Sequence, residues 1–324
     1  MSLDNKVRVL SWNIKNAGKS KSLDDDAMDT IFKMLTSRTI LGYEPYDLIL
    51  LQEVENEEFL NVLDDKFKEH DLPYEINYKE SGKIGTGFRE HYVFIHNTET
   101  IKSIDVQLFP DKNYKKFKRP PVGAYVRSKN GFKGVFLNIH TSPDHAEKES
   151  RHMEYAVRWA KKEWHKNNVI IMGDMNKSSP YFGPKNKTPF SMKKPMEYPG
   201  NEIDTTINRR LKALDHVIWD SEYADLYSAR VLKFDVDFWR RPFGEIGRDA
   251  VDGNGLYSVK AFQKVGKAVG NKLYYDSMRD ISDHWPIEAV FYAEPSSKFR
   301  FKKVVNKFRD EWGDFRKVKY FPVK

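Results

Sequence analysis

A layered α/β fold, with helices flanking β-sheets, is the class this sequence predicts. Short apolar or alternating runs recur along the chain, and amphipathic segments of helical period fall between some of them. At 324 residues the chain is also long enough for one large or two small domains with a sizeable core. It contains no internal repeat.

The runs "KVRVLSWNI", "YDLILLQEV", "HYVFIHN", "PVGAYV", "GVFLNIH", "NVIIMGD", "ALDHVIW" and "HWPIEAVF" all read as strands. Met28, Ile31, Phe32 and Leu35 share one face of a helix expected over 24–39, with Asp24 or Ser22 as its N-cap. A second helix is expected over 146–166, where Met153, Ala156, Val157, Ala160 and Trp164 line one face. Residues 177–203, rich in Pro, Lys, Ser and Gly, read as a long surface loop. Residues 235–280 mix Arg, Gly and aromatics around a helix expected near 258–269, and read as an insertion. The basic, aromatic tail 295–324 reads as an extension beyond a domain spanning 1–294. A docked amphipathic helix is the first reading of that tail, and a strand-tracking segment that combines charge with stacking is the second.

Composition narrows the chemistry. The formal net charge of +8 favours a polyanionic partner. With no cysteine, disulfides, Cys-based zinc sites and thiol nucleophiles are excluded. Neither a secretory leader nor a membrane span is expected in the chain, and composition leaves the compartment open.

"ISDHWPIEAVF" places Asp283 and His284 just ahead of an apolar run, where a core strand gains nothing from them. They have company. Asn13 follows "VLSW", Glu53 follows "LILLQ", His140 follows "FLNI", and Asp174 and Asn176 follow "IIMG", each read as a strand end that projects into a loop layer. Singly, each has an ordinary explanation: Glu53 caps a loop, His140 is a satisfied partly buried histidine, Arg119 is surface charge. Together, carboxylates and amides without thiols suit a hard cation such as Mg²⁺ or Mn²⁺. Histidines oriented by carboxylates suit proton transfer near neutral pH, and an arginine adds a planar fork for phosphate. The set describes metal-assisted hydrolysis of a phosphoester.

The ordered pieces "SWNI", "LQEV", "REHYVFIHNTETIKSIDV", "FKRPPVGAYV", "NIHTSP", "IIMGDMN", "DTTINRRLKALDHVIW" and "ISDHWPIEAVF", spanning about residues 7 to 292, resemble the endonuclease/exonuclease/phosphatase superfamily, and within it the deoxyribonuclease I branch. That resemblance implies a four-layer α/β sandwich of two packed mixed sheets with helices outside. It also implies that Asn13 and Glu53 belong to the metal and phosphate centre, with Glu53 the principal metal carboxylate, and that Asp283 contributes to a metal site. It implies His140 and His284 as catalytic histidines, oriented by Glu90 and Asp215 respectively. Asp174 and Asn176 would position the attacking water or stabilise the pentacovalent phosphorus, and Arg119 would contact phosphate. Which histidine is acid and which base stays open, as does one metal or two.

The sequence also departs from that pattern. Glu55 stands where the deoxyribonucleases place a groove-entering arginine, and a carboxylate facing phosphates is repulsive. Phe88 replaces a tyrosine contact, and Ser179 and Lys212 occupy the positions of a structural disulfide. In the calcium loop Asp204 and Thr206 match, but Arg210 replaces a ligand oxygen, which disfavours a structural Ca²⁺. The expected activity is that of a Mg²⁺-dependent, monomeric endonuclease cutting DNA with little sequence preference, with single-stranded DNA or RNA as open alternatives. A phosphatase or phosphodiesterase of the same superfamily acting on a phosphorylated lipid or nucleotide is the runner-up. A catalytically silent nucleic-acid-binding module ranks behind it, because Glu53, His140, Asp174, Asp215 and His284 are all present.

Overall fold

The computed structural model describes residues 5–36, 45–84, 88–112, 115–178, 192–199, 205–206, 212–232 and 281–293, with the backbone alone at 82–84 and 88–89. The element order is β1 (Lys6–Ala17), α1 (Lys19–Ser22), α2 (Asp25–Thr36), β2 (Leu48–Val54), α3 (Glu57–Glu69), β3 (Tyr74–Ile84), β4 (Phe88–Asn97), β5 (Ile101–Leu108), β6 (Val122–Ser128) and β7 (Lys133–His140), then α4 (Ala146–Glu163), β8 (Val169–Asp174), β9 (Pro195–Tyr198), β10 (Asp215–Asp220), β11 (Leu226–Val231) and β12 (Ile287–Tyr292). They build two six-stranded sheets, ordered β11-β12-β1-β2-β4-β3 and β5-β6-β7-β8-β10-β9. Each is mixed in the same way: its central pair, β1/β2 or β7/β8, is parallel, and the remaining pairs are antiparallel.

The central strands are apolar on both faces because both faces are covered. Along β1 and β2, Val7, Val9, Leu48 and Leu50 point between the sheets, while Leu10, Trp12, Ile49 and Leu51 pack with the helical layer of Met28, Ile31, Leu35, Phe59 and Leu63. On β7 and β8, Phe136, Ile170 and Met172 face the other sheet, and Val135, Leu137, Val169 and Ile171 face α4 through Met153, Ala156 and Val157. Three apolar layers therefore separate four structural ones, and the expected sandwich is what the chain forms.

A parallel pair sends both its carboxyl ends to one edge, and the two sheets are tied together next to those ends. Gln52 Nε2 donates to Asn138 Oδ1 (2.7 Å), and Asn138 Nδ2 donates to the carbonyls of Leu51 (3.0 Å) and Val93 (3.2 Å). Both side chains are buried, so every bond they make counts toward offsetting their desolvation. Gln52 directly precedes Glu53, and Asn138 lies two residues before His140.

All the strands read from the sequence form, and the two amphipathic helices occupy Asp25–Thr36 and Ala146–Glu163. Asp24 Oδ1 accepts the Ala27 N–H (3.0 Å), which selects Asp24 over Ser22 as the cap. The reading of 177–203 as one surface loop needs correction. Pro195–Tyr198 pairs with β10 as a buried edge strand, with Met196 and Tyr198 in the core between the sheets. Pro195 disguised it, since proline fits a strand only at its start or on an edge. Helix α3 was also legible but unread: Phe59, Leu60, Leu63 and Phe67 are buried on one face, and Asn56 Oδ1 accepts the Phe59 N–H (3.2 Å). The division after residue 294, the helix expected near 258–269 and the tail lie outside the described residues. Among the described residues no helix is long and apolar enough to cross a membrane.

Candidate active site

Asp174 ends β8 between two partner strands. Its register partner on β7 is His140, and on β10 it is Asp215. Gly173 makes this approach possible. Its φ is +139°, and a Cβ there would lie 2.0 Å from the Ile139 carbonyl oxygen. Asp174 Oδ2 lies 3.6 Å from Nε2 of His140 and 3.6 Å from Nε2 of His284. The same oxygen accepts from Asn13 Nδ2 (3.0 Å) and Asn176 Nδ2 (3.1 Å), and Oδ1 accepts the Asn176 N–H (2.7 Å). Burial and the neighbouring Asp215 charge push the Asp174 carboxyl up, against the pull of the two imidazoles.

His140 is oriented from behind. Its Nδ1 lies 2.9 and 3.0 Å from the two oxygens of Glu90. Its backbone N–H donates to the Tyr92 hydroxyl (2.9 Å), which donates back to the His140 carbonyl (3.3 Å). Burial disfavours charge on this ring, but Glu90 and Asp174 outweigh it and raise the pKa, with Arg119 pulling the other way. Burial likewise pushes the Glu90 carboxyl up, and His140 and Arg119 outweigh that to hold it below the usual range. Arg119 Nη1 sits 2.7 Å from His140 Nε2 and 3.3 Å from the Thr141 carbonyl, with Arg119 Nε 3.2 Å from Glu90. In the neutral ring a guanidinium N–H can donate only to the unprotonated nitrogen, so this contact matches the Nδ1–H tautomer of His140.

His284 precedes β12. Its Nδ1 lies 2.7 Å from Asp215 Oδ2, and Asp215 is held in turn through its N–H by Thr205 Oγ1 (3.1 Å). Burial lowers the affinity of this ring for a proton, but Asp215 and Asp174 together raise its pKa well above the ordinary value.

Both Glu53 and Asn13 were expected at strand ends; Glu53 is the last residue but one of β2, whereas Asn13 sits within β1, and both lie at irregularities in the ladder. The pairing of β1 with β2 slips between Asn13 and Ala17, and that of β2 with β4 slips between Leu51 and Val54. Glu53 adopts φ +59°, a region costly for a residue with a Cβ, and its N–H donates to Glu90 Oε1 (2.8 Å). The bulge turns its carboxylate toward the site, where Asn13 Nδ2 donates to Oε1 (2.9 Å) and the Asn16 N–H to Oε2 (3.1 Å).

Nine of the ten residues singled out from the sequence therefore meet in one cluster of hydrogen bonds and close ion pairs. Asp283 stands apart at the rim, its side chain 41% exposed and Oδ1 3.9 Å from His284 Nε2. Among the described residues two groups have ligand atoms close enough together to hold an ion, within 4.8 Å of one another: Glu53, His140 and Asp174, and Asp174, Asp215 and His284. Asp283 belongs to neither. In the calcium loop, Thr206 makes an isolated bridge with His284, while Asp204 and Arg210 lie outside the described residues. Gln52, Asn138, Tyr92, Thr205 and Thr141 were missed as supports. Gln52 and Asn138 carried a signal, each an amide inside an otherwise apolar strand.

The geometry has known counterparts. Residues 10–284 match the model of the Endonuclease/Exonuclease/phosphatase family. Human deoxyribonuclease gamma is 24% identical over 297 residues, covering 87% of this chain and 85% of that protein. The crystal structure of ANGEL2, a 2',3'-cyclic phosphatase, aligns with a TM-score of 0.53 at 12% identity, covering 89% of this chain and 95% of that one. That of D. rerio TDP2, humanized by 14 mutations, gives 0.52 at 14% identity, covering 88% and 98%. At such identities the structural likenesses carry the fold alone. The match across most of the chain settles membership: this protein belongs to the endonuclease/exonuclease/phosphatase family of phosphoester hydrolases.

Proposed function

We infer that the protein is a divalent-metal-dependent endonuclease that hydrolyses DNA phosphodiesters by in-line attack of water, with little sequence preference. One observation carries this reading: two carboxylate-backed imidazoles present their Nε2 atoms to the same oxygen of Asp174, each at 3.6 Å, beside the Glu53 carboxylate. In-line displacement needs proton acceptance on one side of phosphorus, donation on the other, and charge stabilisation between them. The resemblance to human deoxyribonuclease gamma over most of both chains and the net charge of +8 support DNA as the polyanion.

Burial and partners divide the roles. His284 lies among Asp215, Asp174 and Asp283, which raise its pKa well above the ordinary value, so it is assigned the proton that goes to the leaving oxygen. His140, facing Arg119 through an Nε2 lone pair, accepts the proton of the attacking water. Asp174 and Asn176 orient that water, while Asn13 and Arg119 bind the phosphate oxygens. The oxygen-rich donor set of Glu53 and Asp174, with His140 Nε2 close by and no thiol, fits Mg²⁺ or Mn²⁺. Such an ion, when bound, supplies positive charge against a phosphoryl oxygen. Asp283, half-exposed at the rim, would approach it through a bridging water.

The test is incubation of purified protein with plasmid, single-stranded DNA, RNA and a phosphoinositide, each with Mg²⁺ and with EDTA. Nicking of plasmid in Mg²⁺ and its loss in EDTA are expected. Phosphate release from the phosphoinositide with the plasmid intact would overturn the reading in favour of a phosphatase.

A further inference from the structure

Lys21 carries a charge where none is expected. It sits in the four-residue helix α1 with its side chain buried. Its ammonium donates to the carbonyls of Ile14 (2.6 Å), Lys15 and Ile281 (2.6 Å). An ammonium has three donors, and all three are used. Among the described residues no carboxylate comes within ion-pair distance of it. Burial is the largest influence on this group and pulls its pKa down to about 8, with Glu53, Asp283 and Glu55 acting against the loss of charge from further off. An apolar side chain could fill the same space without the desolvation penalty, so the retained charge calls for an explanation.

The carbonyls supply one. Ile14 and Lys15 follow Asn13 in the slipped part of β1, and Lys15 and Asn16 have φ of +42° and +46°. Ile281 lies three residues before His284. Lys21 thus joins two segments about 260 positions apart in the chain, each carrying part of the candidate site. Two further links run in parallel. Ser282 Oγ donates to the Asn13 carbonyl (2.6 Å) and accepts the His284 N–H (3.0 Å). Trp12 Nε1 donates to the His284 carbonyl (2.9 Å).

We propose that Lys21 is a positioning residue: its ammonium clamps the Ile281–His284 segment to the bulge after Asn13 and so fixes His284 Nε2 relative to Asp174 and Glu53. The clamp rests on the nuclease reading for its catalytic consequence but not for its geometry. Lys21 itself is buried behind the site and touches no substrate. Its loss therefore acts on kcat and leaves KM for DNA unchanged.

The test compares wild type with Lys21→Met, Lys21→Gln and Ser282→Ala in the full chain. Plasmid nicking in Mg²⁺ is followed well below the melting temperature, and the His284 Nδ1–H proton is observed by NMR with ¹⁵N-histidine, assigned through His284→Ala. Lys21→Met is expected to lower kcat about 10- to 100-fold, as small misplacements of reacting groups do, with KM within about two-fold. It should also shift the His284 proton. Lys21→Gln keeps two donors and should lose less. It remains available if the methionine variant does not fold. Lys21→Gln combined with Ser282→Ala should cost more than the product of the single effects, because the two links act in parallel and each holds the segment when the other is lost. Folded variants with wild-type kcat and an unmoved His284 proton would overturn the proposal, as would a double variant no worse than the product of the single effects. If wild type leaves plasmid intact while the His284 proton still shifts in the Lys21 variants, the clamp stands and the nuclease reading falls.

Discussion

The two histidines of the site share one motif and differ in what surrounds it. Each is buried, each has Nδ1 against a carboxylate, and each holds Nε2 3.6 Å from the same oxygen of Asp174. On the His140 side, Arg119 completes a three-way contact with Glu90 and the ring, and Glu53 Oε1 lies 3.6 Å from Nε2. On the His284 side the charged groups acting on the ring are carboxylates, Asp215, Asp174 and Asp283. Among the described residues, a cation stands beside one ring and carboxylates beside the other, which separates their proton affinities, and a separated pair of titratable groups is what acid–base catalysis needs. The difference thus lies in one guanidinium rather than in the histidines.

The bluntest way to break the comparison is to remove a ring. His284→Ala and His140→Ala should each lower plasmid-nicking turnover by about 10² to 10⁴-fold, the contribution of a positioned acid or base. If the two act in one proton circuit, as proposed, the double variant should be little worse than either single one. A double variant that loses the product of the two effects would mean the rings work independently.

Much of this asymmetry was invisible in the sequence. Strand-end chemistry made Asp174 and Asn176 legible, and the residue types of Asn13 and Glu53 marked them as candidates. Their bulges were not legible, because a slip in pairing depends on two strands rather than one. The pairing of Glu90 with His140, 50 residues away, and of Asp215 with His284, 69 away, came from resemblance and not from any local pattern. Lys21 had no signal at all, being one basic residue among 55 until the fold buried it. The layers were easier to read, since β1, β2, β7 and β8 carry apolar residues on both faces and have to be covered on both. β9 escaped because a four-residue edge strand beginning with proline is too short to show a period.

Removing the carboxylate behind a ring is gentler than removing the ring. Asp215→Asn should cost about 10- to 100-fold in kcat, the usual penalty for losing an orienting partner. Asp215 is among the groups that raise the His284 pKa, so the alkaline limb of the rate profile should move to lower pH in this variant. Stability follows the same sign. A raised folded-state pKa stabilises the fold fully below the unfolded value of about 6.5, and that contribution is lost as pH rises through the folded value. The melting temperatures of wild type and Asp215→Asn should therefore differ most in mild acid and converge in alkali. A gap that widens with pH would show that His284 is not charged in the folded protein.

Arg119→Met sharpens the comparison by making the His140 side resemble the other. On the proposed role it removes a charge-assisted contact to phosphate, expected to cost about ten-fold in kcat/KM. It also removes the influence that opposes proton binding at His140, so the acid limb of the profile should move to higher pH. A loss with no displacement of that limb would reduce Arg119 to a phosphate contact and leave the asymmetry without a cause.

The smallest effect lies at the rim. Glu55 follows the bulge of β2 by one residue beyond Val54, its N–H bonded to the Ala17 carbonyl (2.9 Å) and its carboxyl raised by burial and by Glu53. It adds negative charge on the side of the site where Glu53 already stands, and among the described residues nothing pairs with it directly. Glu55→Gln should therefore lower KM for DNA about two- to three-fold at low ionic strength, through weaker repulsion of phosphates, while kcat stays level. The gain should fade in moderate salt, because a partly exposed charge is screened over roughly 10 Å at 0.1 M. The corresponding change beside His284, Asp283→Asn, removes a group that helps keep that ring protonated, so it should alter the pH profile as well as KM. Matching salt-dependent KM changes in the two variants, with neither profile displaced, would mean that rim charge acts on substrate alone and that the inner groups set the difference between the two histidines.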